Sequence, residues 1–405
     1  VKILLLSPYS PHPTNSGASQ RTALVLESLK ELADVDLLGV GNNAHFPENR
    51  RDDLRESHNL IGVAEPLDWK HSPAGRFFAR AFPRLSRALM DGLRHQRHSF
   101  AHDPRMLGKL ERLVASNRYD AVVVRYLRPA CRSGALQLKL PVFIDIDDVD
   151  IEFLETEAQR NYGSRAGQWI RQRNLRQLRE IYPELVGRAA RCWVPNHASR
   201  NYPGLGDAVW LPNIPFHVPQ ADSLPEPGRD IVFLGILNYK ANVQGLDWFL
   251  SEVWPRIIKS NPSATLRIAG GYLDPERKER WSATPNVVVQ GFVEKVADAY
   301  RGSAFTIAPI QKGSGTNIKV VESFANGRTC VATPFGHRGY EDTLIPGESL
   351  LVGKSPEEFA DACIQLLANQ GEAARLAAKG AQVVRDIFSR EHFSSVVRKT
   401  VLEHR

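Results

Sequence analysis

The chain has 405 residues, with 42% hydrophobic and 24% charged side chains, and its 52 Lys and Arg against 45 Asp and Glu leave a net charge of +7. This ordinary composition excludes a mostly disordered chain, a fibre and a polytopic membrane protein. The length suggests two or three domains at about 150 residues each.

The surplus charge is local. Residues 71–132 hold 13 Lys and Arg against four acids (Asp91, Asp103, Glu111 and Asp120), so this window alone exceeds the surplus of the whole chain. Such a window implies a partner surface rather than a general affinity for anions. The four cysteines, Cys131, Cys192, Cys330 and Cys363, form no CxxC pair. That argues against a disulfide framework or a zinc knuckle and for a reducing, cytoplasmic setting. The opening run Ile3–Leu6 is too short for the apolar core of a signal peptide and reads as a first strand. No apolar run approaches the roughly 20 residues of a spanning helix.

In chain order, Lys2–Leu6 is a predicted strand, followed by a Pro- and Gly-containing loop to Gly17. Arg21–Leu32 carries leucines at helical spacing. Predicted strands follow at Val35–Val40, Asp120–Val124, Val142–Ile146, Cys192–Val194 and Val209–Leu211. Near-continuous apolar strands alternating with helices indicate a parallel sheet covered on both faces. At residue 213 the rhythm breaks: 213–228 contains Pro215, Pro219, Pro225 and Pro227 and reads as a linker. The pattern then restarts with predicted strands at Ile231–Leu234, Thr265–Ala269, Val287–Val289, Ala304–Ala308, Thr329–Ala332 and Ser349–Val352. Predicted helices are Val243–Lys259, Ile318–Ala325, Glu357–Leu367 and Ala373–Ile387. The expected architecture is α/β: two doubly wound, Rossmann-like domains, 1–212 and 229–387, facing each other across a cleft. Residues 388–405 form a last helix.

In such sheets ligands bind beyond the carboxyl ends of the strands, so the loops after strands carry the candidate chemistry. The loop after Ala304–Ala308 runs Lys312, Gly313, Ser314, Gly315, Thr316, Asn317. Its glycines let backbone N–H groups approach an anion, and the helix behind it points its N-terminus at the same spot. Lys319 adds a point charge one turn in. Glu322, on the same helical face, suits a bidentate grip on a ribose diol. The alternative is a plain Gly-rich turn with a surface Lys and Glu. The loop Ser7–Gly17 places Gly17 at a helix start, with Asn15 or Ser16 as N-cap. Asp145 and Asp147, at a strand end, lie on one side of an extended chain. They suit a divalent metal, an acceptor hydroxyl, or a helix N-cap cluster. In the turn after Leu234, Asn242 is a natural N-cap, and Lys240 is either a phosphate contact or an exposed loop lysine.

Taken together these residues resemble the retaining glycosyltransferases of the GT-B fold, specifically glycosyltransferase family four. The strongest stretch is GSGTNIKVVESFANGRTCVATPFGHRG, Gly313 to Gly339. Support comes from Phe233-Leu234-Gly235, Leu266 to Gly270, Gln290 to Val293 and Leu211-Pro212-Asn213. The resemblance implies that Glu322 is the second Glu of the Glu–seven residues–Glu motif and binds the donor ribose. It implies that Phe292 and Val293 lie at the nucleobase and Gly17 beside the diphosphate. Asp147 falls about where many members carry a histidine near the reacting sugar, and the last helix would cross back onto the N-terminal domain. Besides Asp147 in place of that histidine, two positions depart from the pattern. Ser314 stands where the first Glu belongs, and Ile236 replaces the expected Arg, leaving Lys240 or Lys319 for the diphosphate.

The implied activity is retaining transfer of a sugar from a nucleotide sugar to a glycan or lipid-linked acceptor, without a metal, in polysaccharide or glycoconjugate biosynthesis. The alternatives are an isomerase like the nucleotide-sugar 2-epimerases and a non-catalytic sugar-nucleotide-binding protein. The window 76–132 mixes Phe77, Phe78, Phe82, Leu85 and Leu89 with arginines at near-helical spacing. It suits either docking on an anionic membrane, hence a peripheral location on its inner face, or a helix packed on the core. Nucleic acid is not expected as a partner. His98 and His102 read as a solvated pair, since no third metal ligand is obvious.

Overall fold

The apolar runs fold as strands because both faces of each are covered. The structure, a computed structural model, describes residues 1–404 apart from 15, 42, 65–95, 159–164, 217, 219–223, 225 and 314. In the first half the strands are β1 (Lys2–Ser7), β2 (Asp34–Val40), β3 (Leu60–Ala64), β4 (Ala121–Arg125), β5 (Val142–Asp145), β6 (Arg191–Val194) and β7 (Val209–Trp210). They form one sheet in the order β3-β2-β1-β4-β5-β6-β7, with every neighbouring pair parallel. Ile3, Leu4, Leu5 and Leu6 are all fully buried, as a central parallel strand requires.

The second sheet holds β8 (Asp230–Leu234), β9 (Leu266–Ala269), β10 (Val287–Gly291), β11 (Ser303–Ala308), β12 (Cys330–Ala332) and β13 (Leu351–Val352). Its order is β10-β9-β8-β11-β12-β13, again parallel throughout. Its core packs Phe233, Leu246, Phe249, Trp254, Ile268 and Phe359. The helix Lys240–Trp248 continues through a π-helical turn, Phe249–Val253, into Trp254–Ser260. Pro255 lacks the N–H that would extend the regular ladder, which accounts for the turn.

The chain divides into two compact units, Val1–Pro212 with Phe393–Arg405, and Asn213–His392. The last helix, Arg390–Leu402, therefore ends in the first unit. There the Trp193 indole N–H donates to Thr400 Oγ1 at 3.2 Å, and Arg398 pairs with Glu31 at 3.1 Å. Both sheets are α/β and doubly wound, as expected. The structure adds β3 and a 22-residue helix, Arg165–Val186, that the apolar periodicity does not announce.

Candidate active site

In each unit the strand order reverses once, between β1 and β4 and between β8 and β11. A doubly wound sheet binds ligands in the crevice outside those strand ends. In the second unit the turn after β8 and the Gly-rich loop after β11 meet there. A side chain built on Gly313 would stand 3.4 Å from Ala241 Cβ and 3.7 Å from the Tyr239 hydroxyl.

The Gly-rich loop is tied down from three sides. Arg338 Nη2 donates to the Gly315 carbonyl at 2.9 Å, with its guanidinium 4.3 Å from the Phe335 ring centre. Asn317 Nδ2 donates to the carbonyls of Phe335 and Gly336 at 3.2 and 3.3 Å. Asn213 Nδ2 donates to Thr316 Oγ1 at 2.9 Å. Gly315 has φ 71°, a left-handed conformation in which any Cβ is strained. The loop leads into the helix Ile318–Ala325, whose N-terminus has no side-chain cap and whose Val320 N–H donates to the Asn317 carbonyl at 3.0 Å. Lys312 is exposed, and Ser314 lies outside the described residues.

Lys319 and Glu322 are both half-buried on that helix. Lys319 Nζ donates to Asn242 Oδ1 at 2.8 Å and sits 5.3 Å from the Phe233 ring centre. Burial pulls the Lys319 ammonium down to about 8, with Cys330 and Glu322 acting the other way. Burial pushes the Glu322 carboxyl up to about 7, against the pull of Lys319. Each charge is therefore held at a cost that a complementary ligand would relieve: an anion at Lys319, hydroxyl donors at Glu322. This is not a plain turn carrying a surface lysine and glutamate.

Asn242 is not the N-cap that its position suggests. The helix starts at Lys240, with Tyr239 as N-cap, and Asn242 is buried two residues in. It trades the cap for the lysine because its amide also donates to the Ile236 carbonyl at 2.9 Å. Lys240 is exposed at the helix start. Phe292 follows β10 and is 75% exposed, while Val293 is partly buried. The Phe292 ring lies against Gly271, where a Cβ would approach it to 3.4 Å. Tyr272 beside it is 66% exposed at φ 62°.

In the first unit, Ser16 caps the helix Gly17–Lys30 by accepting from Ser19 N at 3.2 Å. A Cβ on Gly17 would meet nothing within 4 Å, so packing does not demand glycine there. One turn on, Arg21 reaches Asp145 with Nε at 2.9 Å and Nη2 at 2.7 Å, and also donates to the Leu211 carbonyl at 3.0 Å. Arg125 Nη1 donates to Asp145 Oδ2 at 2.5 Å, and its Nη2 to Asp147 Oδ2 at 3.3 Å. The Tyr126 hydroxyl donates to the same Asp147 oxygen at 3.2 Å. Burial and Asp147 push the Tyr126 phenol up, so it stays a donor. Burial opposes the Asp145 charge, but Arg21 and Arg125 outweigh it and hold the carboxyl below its usual range.

Asp145 and Asp147 do lie on one side of the chain, since both arginines touch both of them. Asp145, however, is fully buried between two guanidiniums. The DxD pair does not present two open carboxylates to a cation, and neither residue caps a helix by these contacts. Among the described residues no group of three or more His, Cys, Asp or Glu is placed to hold a metal.

The arginine pair was not legible as part of a site. Arg21 stands among leucines on an amphipathic helix, and Arg125 simply ends the run VVVR. A charge at an otherwise buried position was the available signal. Tyr126 carries another mark, a φ of 69°, rare for a bulky residue and concentrated at functional sites. Part of the basic window is spent internally. Arg125 is buried, Arg128 reaches Asp150 at 3.6 Å and Arg97 reaches Glu184 at 3.2 Å. The apolar-and-arginine stretch from Arg76 to Arg94 lies outside the described residues. Among the described residues no helix is long and apolar enough to cross a membrane.

Residues 228–369 match the family model described as Glycosyl transferases group 1. The match lies within the second unit. A curated relative, an uncharacterized 44.6 kDa protein in the cps region of Klebsiella pneumoniae, is 27% identical over 204 residues, 47% of this chain and 51% of that one. The match thus spans about half the length of that relative. The fold is that of GT-B glycosyltransferases. TarM aligns over 100% of this chain and 99% of its own with a TM-score of 0.67 at 9% identity. HepE of Anabaena, in complex with UDP, aligns over 100% of both chains with a TM-score of 0.67 at 11% identity. Sucrose-phosphate synthase of Thermosynechococcus elongatus aligns over 100% of this chain and 99% of its own with a TM-score of 0.65 at 14% identity.

Proposed function

We propose that the chain is a retaining glycosyltransferase that moves a sugar from a nucleotide-sugar donor to a glycan or lipid-linked acceptor. The observation that carries this reading is the meeting of Lys319, Glu322 and the Gly-rich loop with the turn after β8, inside the group 1 domain. Glu322 would accept from the ribose diol, with Phe292 and Val293 at the base. Lys319, the backbone N–H groups of Gly313–Asn317 and the helix N-terminus would stabilise charge as the nucleoside diphosphate leaves. The acceptor would attack on the face the diphosphate leaves, with a leaving-group oxygen taking its proton, so no protein nucleophile and no metal is invoked.

Asp147 is the proposed acceptor-side carboxylate of the first unit, where Arg125 and Tyr126 hold it in place. Polysaccharide or glycoconjugate assembly agrees with the relative from a cps region. HepE binds UDP, which makes a uridine donor the first to try. The basic window is the proposed contact with an anionic membrane. The test is turnover of a labelled nucleotide sugar with and without a glycan acceptor. Acceptor-dependent transfer with retained anomeric configuration supports the proposal. Acceptor-free interconversion of the donor would replace it with the isomerase reading.

A further inference from the structure

We propose that Asn242 is a positioning residue that seats Lys319 as the diphosphate-binding cation of the second unit. The inference rests on the nucleotide-sugar reading above and adds to it a residue from a different helix, Lys240–Trp248. Asn242 is 5% exposed and bridges two elements with its one amide. Its Nδ2 donates to the Ile236 carbonyl in the turn after β8 at 2.9 Å, which fixes the orientation of the group. Its Oδ1 is thereby turned to Lys319, and accepts from Nζ at 2.8 Å. The amide packs directly on that turn, because a Cβ on Gly235 would lie 2.9 Å from Asn242 Nδ2.

A lysine is a compact charge on a flexible stem, so its direction has to come from its partners. Here the partners are an amide oxygen and the Phe233 ring face, both neutral. They orient the ammonium without cancelling it. The turn after β8 has no cation of its own before Lys240, since it reads Gly235, Ile236, Leu237, Asn238, Tyr239. Lys240 and Lys312 are exposed, whereas Lys319 is half-buried and held by Asn242. The turn thus contributes through a backbone carbonyl and Asn242 what it lacks as a side chain.

The test is calorimetry on the full chain with UDP, GDP, ADP and dTDP and with their nucleosides, across pH 6.5 to 9.5. One diphosphate is expected to bind wild type more tightly than its nucleoside, with affinity falling on the alkaline side as Lys319 loses its proton. The other groups acting on that proton are Glu322 on the same helix and Cys330 of β12. Asn242→Ala is expected to weaken the diphosphate about tenfold or more, and to change nucleoside affinity less than about twofold. It should also shift the alkaline limb to lower pH. Asn242→Asp keeps the acceptor oxygen and adds charge, so the limb should shift to higher pH. If the alanine variant does not fold, Asn242→Ser carries the same expectation. Equal losses for diphosphate and nucleoside with an unmoved limb, or no loss at all, would overturn the proposal. Failure of wild type to bind any diphosphate would instead overturn the nucleotide-sugar reading on which it rests.

Discussion

Arg21 and Asp145, 124 residues apart in sequence, form a fully buried two-pronged ion pair at the carboxyl end of the first sheet. Arg125 grips the same carboxylate from the other side. Breaking one member of such a cluster leaves charges buried without compensation, at about 3–5 kcal/mol. Asp145→Asn should therefore lower the unfolding free energy by that order, read as a fall in denaturation midpoint. Because the folded carboxyl titrates below its unfolded value, its contribution is complete at neutral pH and is lost as pH falls through the folded value. The asparagine variant should accordingly show a weaker loss of stability in acid. A variant as stable as wild type would remove the cluster from the list of structural determinants.

Nucleotide binding should have a pH optimum between about 7 and 8. In the proposed site the diol would need Glu322 as carboxylate, at pH above about 7, and the diphosphate would need Lys319 as ammonium, at pH below about 8. Glu322→Gln should flatten the acid limb and Lys319→Met the alkaline limb, each measured by titration calorimetry. The stability effects run the other way. The raised Glu322 value disfavours folding as pH rises from the unfolded value through 7. The lowered Lys319 value makes stability rise with pH from 8 towards its unfolded value.

Gly315→Ala places a Cβ at φ 71°, a conformation costing about 1–2 kcal/mol in an L residue. The loop is expected to shift rather than the domain to unfold. Nucleotide affinity should drop while the denaturation midpoint stays within a few degrees of wild type.

Phe292 is 75% exposed, so its removal should hardly alter stability. If its ring stacks on the base, Phe292→Ala should cost about 1–3 kcal/mol of nucleotide affinity. An unchanged affinity would remove the Phe292 ring from the base contact.

The strands were legible because a parallel strand covered on both faces leaves an unbroken apolar run, as in Ile3–Leu6 and Val122–Val124. The edge strand β3 was not, since LIGVA is short and only half-buried. The helix Arg165–Val186 was hidden by its arginines and by Pro183, which dilute the apolar stripe. Much of the candidate Gly-rich loop stands out in the sequence, because glycines, a lysine and a glutamate follow one another. Asn242 and the Arg21–Arg125–Asp145 cluster could not, because their partners are brought to them only by the fold. Asn242 in particular has the residue type and place of an N-cap, and only the distance to Lys319 shows its other use.

The most direct measurement is calorimetric binding of UDP, GDP, ADP and dTDP to wild type and Glu322→Ala, with and without EDTA. One nucleotide should bind wild type irrespective of EDTA. Its affinity should fall in the variant by the roughly 1.5–3 kcal/mol of lost charge-assisted hydrogen bonds. Binding that survives the substitution unchanged, or that EDTA abolishes, would contradict a metal-free nucleotide-sugar site built on Glu322 and Lys319.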